Sequence, residues 1–278
     1  MINLIGIELY KIFRKWRTYI GFIAIGVLVS VIQTAIYMEG NDYLNMMTRG
    51  LSQSFMFTGN LMNGYLISQM ILGALVIHIP FLITLVAGDL LAGEATNGTY
   101  RILMTRPVSR FKVVTSKFIA GIIYANMLVL WLAVLSLGIG ILLFGTGELL
   151  VIKDSIIIFA QNDILWRFAW AYGFAALSMC LVTSLAFLFS SLVENSIGPI
   201  ITTMTVIIVF LIVSSIKVSF FEDLAPYLFT SYMNAWRSFF DDPVDTSELV
   251  KSAGIMLLHI IGFYGLTLYL FKKKDILS

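Results

Sequence analysis

The sequence predicts an all-α membrane protein with six transmembrane helices, an N-terminal amphipathic interfacial helix and short interfacial helices in its last outer loop. Three observations carry this. First, 59% of the 278 residues are hydrophobic and only 12% are charged, with a mean hydropathy of +0.92. A soluble domain is about 45–50% apolar and about 25% charged, so this chain has more apolar surface than one soluble core could bury. Second, six apolar runs fall at roughly 19–38, 66–91, 118–144, 168–193, 197–216 and 253–271, each near the roughly 20 residues a helix needs to cross a bilayer. Third, Lys and Arg collect in alternate connections, as the positive-inside rule requires of a multi-pass protein.

The elements follow in order. Residues 1–18 form a basic leader in which Leu4, Ile5, Leu9, Ile12, Phe13 and Trp16 share one half of a helical wheel, with Lys11, Arg14 and Arg17 on the other. Such a helix can lie in the headgroup layer, although a plain basic flank that sets topology gives the same charges. The first run has a long charged leader, a long apolar core and no A-x-A site after Tyr37. It is therefore expected to remain as an anchor rather than be cleaved. Runs of this length are helices because backbone polar groups in lipid must pair internally. Two of them exceed a perpendicular span and are expected to tilt or to extend past the bilayer. A short turn at Glu194, Asn195 and Ser196 joins the fourth and fifth. The outer loop, 217–252, mixes Phe220, Phe221, Tyr227, Phe229, Tyr232, Trp236, Phe239 and Phe240 with acids, a composition expected of short helices dipping into the outer interface.

Six spans put both termini on one side. That side holds 12 of the 18 basic residues: four in the leader, three at Lys272–Lys274, and Arg101, Arg106, Arg110, Lys112 and Lys117 between the second and third runs. Eleven of the 16 acids fall on the opposite side. Both termini are accordingly expected in the cytoplasm. The small net charge, +2, suggests no nucleic-acid partner. The single cysteine, Cys180, excludes an intramolecular disulfide.

The connection at 92–117 is short and punctuated. Gly98 permits a break, Thr99 to Thr105 is long enough for about two helical turns, Pro107 disfavours helix at Arg106 and Ser109 can cap the start of the next helix. The pattern Glu94-x-x-x-Gly98-Thr99, then Leu103, Pro107-Val108-Ser109-Arg110 and Lys117, resembles the first cytoplasmic loop of ABC-2 type permeases, the membrane subunits of ATP-binding-cassette exporters. The motif covers about 25 residues, and the leader, six spans and large last outer loop match across the chain. The resemblance implies a single permease domain over 1–278. Its loop helix would be a coupling helix seated in a separate ATP-binding subunit, present in two copies, and its leader an elbow helix. A second permease chain would complete the pore, a homodimer being preferred to a heterodimer. ATP and magnesium would lie on the partner, with no cofactor and no metal on this chain, and the setting would be a prokaryotic cell membrane.

Within the matching stretch, Glu94 is expected to pair with a nearby base and fix the end of the second span. Gly98 and Thr99 supply the break. Tyr100, Ile102, Leu103 and Met104 offer apolar contact to the partner, Pro107 ends the element, and Arg101, Arg106 and Arg110 pair with partner acids or lipid phosphates. Topology alone also accounts for these arginines. In the leader, Lys11, Phe13, Arg14, Trp16 and Arg17 are the membrane-interface set. Substrate-binding residues are not legible.

Catalytic patterns are missing. No G-x-x-x-x-G-K-[ST] occurs, so no phosphate-cradling loop is present. There is no H-E-x-x-H and no G-x-S-x-G. His78 and His259 lie in apolar runs and are expected to be packed and hydrogen-bonded, His78 to a carbonyl freed near Pro80. Asp89 is expected at the interface, paired with a loop arginine. Asp241, Asp242, Asp245 and Glu248 read as a solvated loop before a cation site, and Thr202, Thr203, Thr205, Gly138 and Gly140 as close-packing positions. Three readings remain. One is an ABC exporter permease, or its variant, a mechanical or assembly device driven by the same ATP closure. The second is a stand-alone secondary transporter or channel, which would favour midplane charges or broken helices. The third, a membrane-embedded enzyme, lacks a nucleophile, metal cluster or acid–base pair.

Overall fold

The computed structural model describes residues 1–49, 60–75, 77–99, 108–153, 155–216 and 218–274. Among the described residues, six helical segments are long and apolar enough to cross a membrane: Trp16–Gly40, Ile79–Thr96, Arg110–Phe144, Gln161–Leu192, Ile197–Ser215 and Thr246–Lys273. Each expected run has its counterpart. The chain is a multi-pass membrane protein.

Helix α1 (Ile2–Phe13) turns at Arg14 and Lys15 into α2 (Trp16–Thr48). The second apolar run is not one helix but three, α3 (Gly64–Leu75), α4 (Ile79–Ala87) and α5 (Asp89–Thr96). The first break has a local cause. Pro80 has no N–H to give and sits in the first turn of α4. Just before it the His78 N–H bonds the Leu75 carbonyl at 2.8 Å, one residue short of the helical repeat. The Ala74 carbonyl is thereby released, and His78 Nδ1 donates to it at 2.8 Å, which fixes the tautomer. At the second break, between α4 and α5, Ser190 from another helix supplies the missing partners. Its hydroxyl donates to the Gly88 carbonyl at 2.6 Å and accepts the N–H groups of Leu91 and Ala92 at 3.0 and 2.9 Å.

Helix α6 (Arg110–Phe144) begins at Ser109, whose hydroxyl accepts the Lys112 N–H at 3.4 Å, and contains a π-helical segment at Val134–Ile139. The wider turn exposes carbonyls that lipid could not satisfy. Gln33 donates to Leu135 O at 3.0 Å, and Ser68 donates to Ser136 O at 2.8 Å. Beside it α3 and α6 touch through backbone, since a Cβ on Gly64 would lie 2.5 Å from Ile141 N. Gly140 belongs to this contact, as the small-residue reading expected, whereas Gly138 has open space around it.

The sequence reading contained no strand, yet β1 (Leu149–Ile152) and β2 (Ile156–Phe159) form an antiparallel hairpin with Leu149 opposite Phe159. Its β-branched residues suit a short pleated patch over the bundle end. Helix α7 (Leu165–Leu192) follows. It is apolar all round, as a largely buried helix should be, and it packs against α4, α5 and α6 and two later helices. Helix α8 (Ile197–Ser215) leaves most of its surface uncovered; of the threonine cluster only Thr203 is buried.

The loop expected as outer interfacial helices contains α9 (Ser219–Leu224), α10 (Phe229–Met233) and 3-10 turns at Ala225–Tyr227 and Ala235–Phe240. Many of its aromatics fold inward rather than toward the interface. Phe229, Trp236, Phe239 and Phe240 are buried, with Phe240 edge-on to Phe168 at 5.0 Å. Phe220 and Tyr227 alone stay largely exposed among the aromatics named. The acidic group is divided: Asp241 pairs with Lys153, and Asp245 caps α11 (Thr246–Lys273) by accepting from the Ser247 and Glu248 N–H groups at 3.0 Å each. His259 bonds the Ile255 carbonyl at 2.8 Å and packs on Phe229 and Phe263.

Candidate functional site

Leader, loop root and C-terminus meet at one end of the bundle. The first two are joined by buried charge. Helix α1 lays Leu9, Ile12 and Phe13 on the core, mostly against α6. In the middle of that apolar face stands Glu8, the only acid before Glu39. It is buried. Burying a carboxylate without partners would cost several kcal/mol, and the partners are supplied from elsewhere in the chain. Lys117, 2% exposed, donates to Glu8 Oε2 and Glu94 Oε1 at 2.7 Å each. Lys11 reaches Glu8 Oε1 and Glu94 Oε1 at 3.0 Å. One turn along, Asp89 is equally enclosed and takes Lys15 at 2.7 Å and Arg17 at 3.0 Å. Two buried acids, Glu8 and Asp89, and the half-buried Glu94 thus share four cations from the leader, the start of α2 and α6.

Local structure places each member. Glu94 and Asp89 lie on α5, whose C-terminus is closed by Gly98 at φ +63°, the left-handed value that favours glycine. The Asn97 and Gly98 N–H groups bond back to Gly93 and Ala95 carbonyls at 3.1 and 3.0 Å. The Thr99 hydroxyl turns back onto the Glu94 carboxylate. Gly93 leaves room for its neighbour: a Cβ there would sit 2.5 Å from Asp89 Oδ1. On the far side Tyr124 donates to the Thr18 carbonyl at 3.1 Å and ties the α1–α2 junction to α6. A cavity of about 370 Å³ opens beside the cluster, lined by Glu8, Lys11, Arg14, Asp89, Glu94 and Lys117 among others. Burial alone would lower the Lys11 pKa, but the adjacent Glu8 and Glu94 carboxylates outweigh it and hold the ammonium above its ordinary value.

Several expectations are corrected by this geometry. The leader helix ends at Phe13, so Trp16 opens α2 and is 73% exposed rather than part of the leader's apolar face. Asp89 is buried, and among the described residues its partners are Lys15 and Arg17, at the start of α2, rather than a loop arginine. Arg110, grouped with the loop arginines, reaches across to the last helix: its Nη1 donates to the carbonyls of Phe271, Lys272 and Lys274 at 3.4, 3.0 and 2.9 Å. It donates to C-terminal carbonyls of α11 and meets the negative end of that helix. Arg14 lines the cavity. Tyr100, Arg101, Ile102, Leu103, Met104, Arg106 and Pro107 lie outside the described residues. Sequence reasoning overlooked Glu8 and Ser190, and it assigned Lys117 no role. An acid centred on the apolar stripe of a basic leader was the available signal for Glu8.

The arrangement is mechanical in kind. It fastens a surface helix to the root of the 92–117 segment, and among the described residues no group of three or more His, Cys, Asp or Glu side chains could hold a metal. A family model described as ABC-2 family transporter protein matches residues 2–276. The chain belongs to the ABC-2 transporter family. It is also similar to the uncharacterized protein YhcI of Bacillus subtilis (strain 168), at 28% identity over 208 residues. That match covers 69% of this chain and 63% of the relative, so the chain spans less than two thirds of the length of the protein it matches. Proteins of this family are membrane transport components.

Proposed function

We propose that this chain is the membrane-spanning subunit of an ABC exporter, worked by ATP hydrolysis on a separate nucleotide-binding subunit that docks on the 92–117 segment. One observation carries the mechanical part: Glu94, at the root of that segment, is bonded at once to Lys117 of α6 and Lys11 of α1. A push delivered at the segment would therefore reach α1, α5 and α6 together, because ion pairs partly withdrawn from water, the enclosed Lys117 pair above all, resist separation. Tyr100, Arg101, Ile102, Leu103, Met104 and Arg106 are assigned the contact with the ATPase. Two permease chains, as a homodimer, and two ATP-binding subunits make the assembly, with ATP and magnesium held by the latter. The site of action is the cell membrane, with both termini in the cytoplasm, and the outward direction of transport rests on the family resemblance.

The test is co-purification with the ATP-binding subunit after charge reversal of the loop, Arg101→Glu with Arg106→Glu. The variant should still insert, and it should lose the ATPase. Undiminished ATPase binding by a correctly inserted variant would overturn the assignment. The break at His78 is the one observation that suits a stand-alone secondary transporter. Solute movement by this chain alone, driven by a gradient in ATP-free proteoliposomes, would support that reading instead.

A further inference from the structure

A second recess lies at the same end of the bundle, between the start of α6 and the end of α11, outside the buried charge cluster. Its volume is about 410 Å³, and it is lined by Ser109, Arg110, Phe111, Val114, Leu268, Phe271 and Lys272. The lining divides by chemistry. Phe111, Val114, Leu268 and Phe271 make an apolar floor, while Ser109, Arg110 and Lys272 make a polar and cationic rim, and among the described residues no acid lines it. Its size falls within the roughly 300–1,000 Å³ of small-ligand pockets. The outer surface nearby is apolar and uncovered: Phe111 and Tyr269 are both more than half exposed.

We propose that this recess binds one anionic phospholipid from the leaflet on the side of the chain termini. An acyl chain lies on the apolar floor and the phosphate meets Arg110 and Lys272. Charge complementarity selects the occupant. The carbonyl end of α11 would by itself repel a phosphate, but Arg110 Nη1 already occupies those carbonyls. The Nε and Nη2 donors of the same guanidinium are not used by these bonds, and a guanidinium pairs with phosphate through two parallel N–H groups. Ser109 caps the N-terminus of α6 here, so the positive end of a long helix faces the same rim. Basic pockets between transmembrane helices at the headgroup level are where anionic lipids are held. In this position the lipid bridges α6, which continues from the 92–117 segment, to α11, beside the Arg110 bonds and the 2.7 Å contact between the Thr115 and Tyr264 hydroxyls. The inference does not depend on the ATP-binding partner.

The experiment uses the full chain extracted in mild detergent. Phosphatidylglycerol and phosphatidylcholine retained per chain are counted by native mass spectrometry. Protection against heating is then measured with each lipid and with inorganic phosphate. Wild type should keep about one phosphatidylglycerol per chain, and Lys272→Gln should weaken its retention about fivefold, the effect of one basic residue near an anionic surface. Leu268→Trp, which fills the floor and leaves the rim charges in place, should also lose the lipid. Lys273→Gln should not, because Lys273 lies over Tyr269 and does not line the recess. Equal retention of the two lipids, equal loss in Lys273→Gln, or full protection by inorganic phosphate would each overturn the proposal.

Discussion

Replacing Lys117 by methionine tests whether the buried charges hold the leader to the loop root. Lys117 is 2% exposed and makes two 2.7 Å bonds, to Glu8 and Glu94. Methionine fills much of its volume and removes its charge, leaving two enclosed carboxylates. Breaking a buried pair by deleting one partner costs about 3–5 kcal/mol. The lower end applies here, since Lys11 still reaches both acids at 3.0 Å, so a loss of about 3 kcal/mol is expected. By the usual scaling for a chain of this size that lowers Tm by about 6–12 °C. The assay is thermal unfolding of the purified chain in detergent, followed by tryptophan fluorescence. The second arm decides the cause. In Lys117→Met with Glu94→Gln one charge of each sign has gone and the Glu8–Lys11 pair remains, so the double variant should be more stable than Lys117→Met alone. Lys112→Met, exposed on the same helix, is the control and should change stability by no more than about 0.5 kcal/mol. A double variant less stable than Lys117→Met, or a single variant that melts like wild type, would refute the reasoning.

Three further outcomes can be measured in the same way. Gly93→Ala should destabilise by about 1–3 kcal/mol, the cost of overpacking, because its Cβ falls 2.5 Å from Asp89 Oδ1. Glycine to alanine within a helix otherwise stabilises, so a stabilised variant would show that the Asp89 pairs with Lys15 and Arg17 do not matter. Ser190→Ala should cost about 1–3 kcal/mol for the hydrogen bonds it removes from the Gly88 carbonyl and the Ala92 N–H at the α4–α5 break. Ser191→Ala, whose hydroxyl bonds only Leu188 of its own helix, should cost less, and equal effects would refute the capping role. Arg110→Gln should speed amide hydrogen exchange over the last turn of α11 by releasing carbonyls of Phe271, Lys272 and Lys274, and an unchanged exchange rate there would refute it.

The spans were legible because their cause is local: run length and apolarity are properties of the chain alone, and lipid forces such runs into helices. The His78 bond could be anticipated for the same reason, since Pro80 stands two residues away. The subdivision of the second span at Gly88 could not. Its stabilising hydroxyl, Ser190, comes from a residue about a hundred positions later, and no periodicity announces it. The π segment of α6 has the same character, because its released carbonyls are answered by Gln33 and Ser68 from other helices. The hairpin at Leu149–Phe159 was missed because two four-residue strands carry almost no periodic signal.

The candidate site divides along the same line. Glu94, Gly98 and Lys117 were found through a motif, but the motif does not state what they hold. The answer lies in α1, where Glu8 sits amid apolar residues and at first sight spoils an amphipathic helix. A helix meant only to float in the headgroup layer gains nothing from an acid at the centre of its apolar stripe. A helix that must return to one orientation against α5 and α6 does gain, because an apolar face can slide whereas a carboxylate enclosed by two ammonium groups has one low-energy register. Glu8 is therefore better explained by fixing position than by adding stability. On this argument, Glu8→Leu together with Lys117→Met should leave the melting temperature nearly intact while, under the proposed function, uncoupling ATP hydrolysis from transport. If that pair of changes left coupling intact as well, the charges would be packing and nothing more.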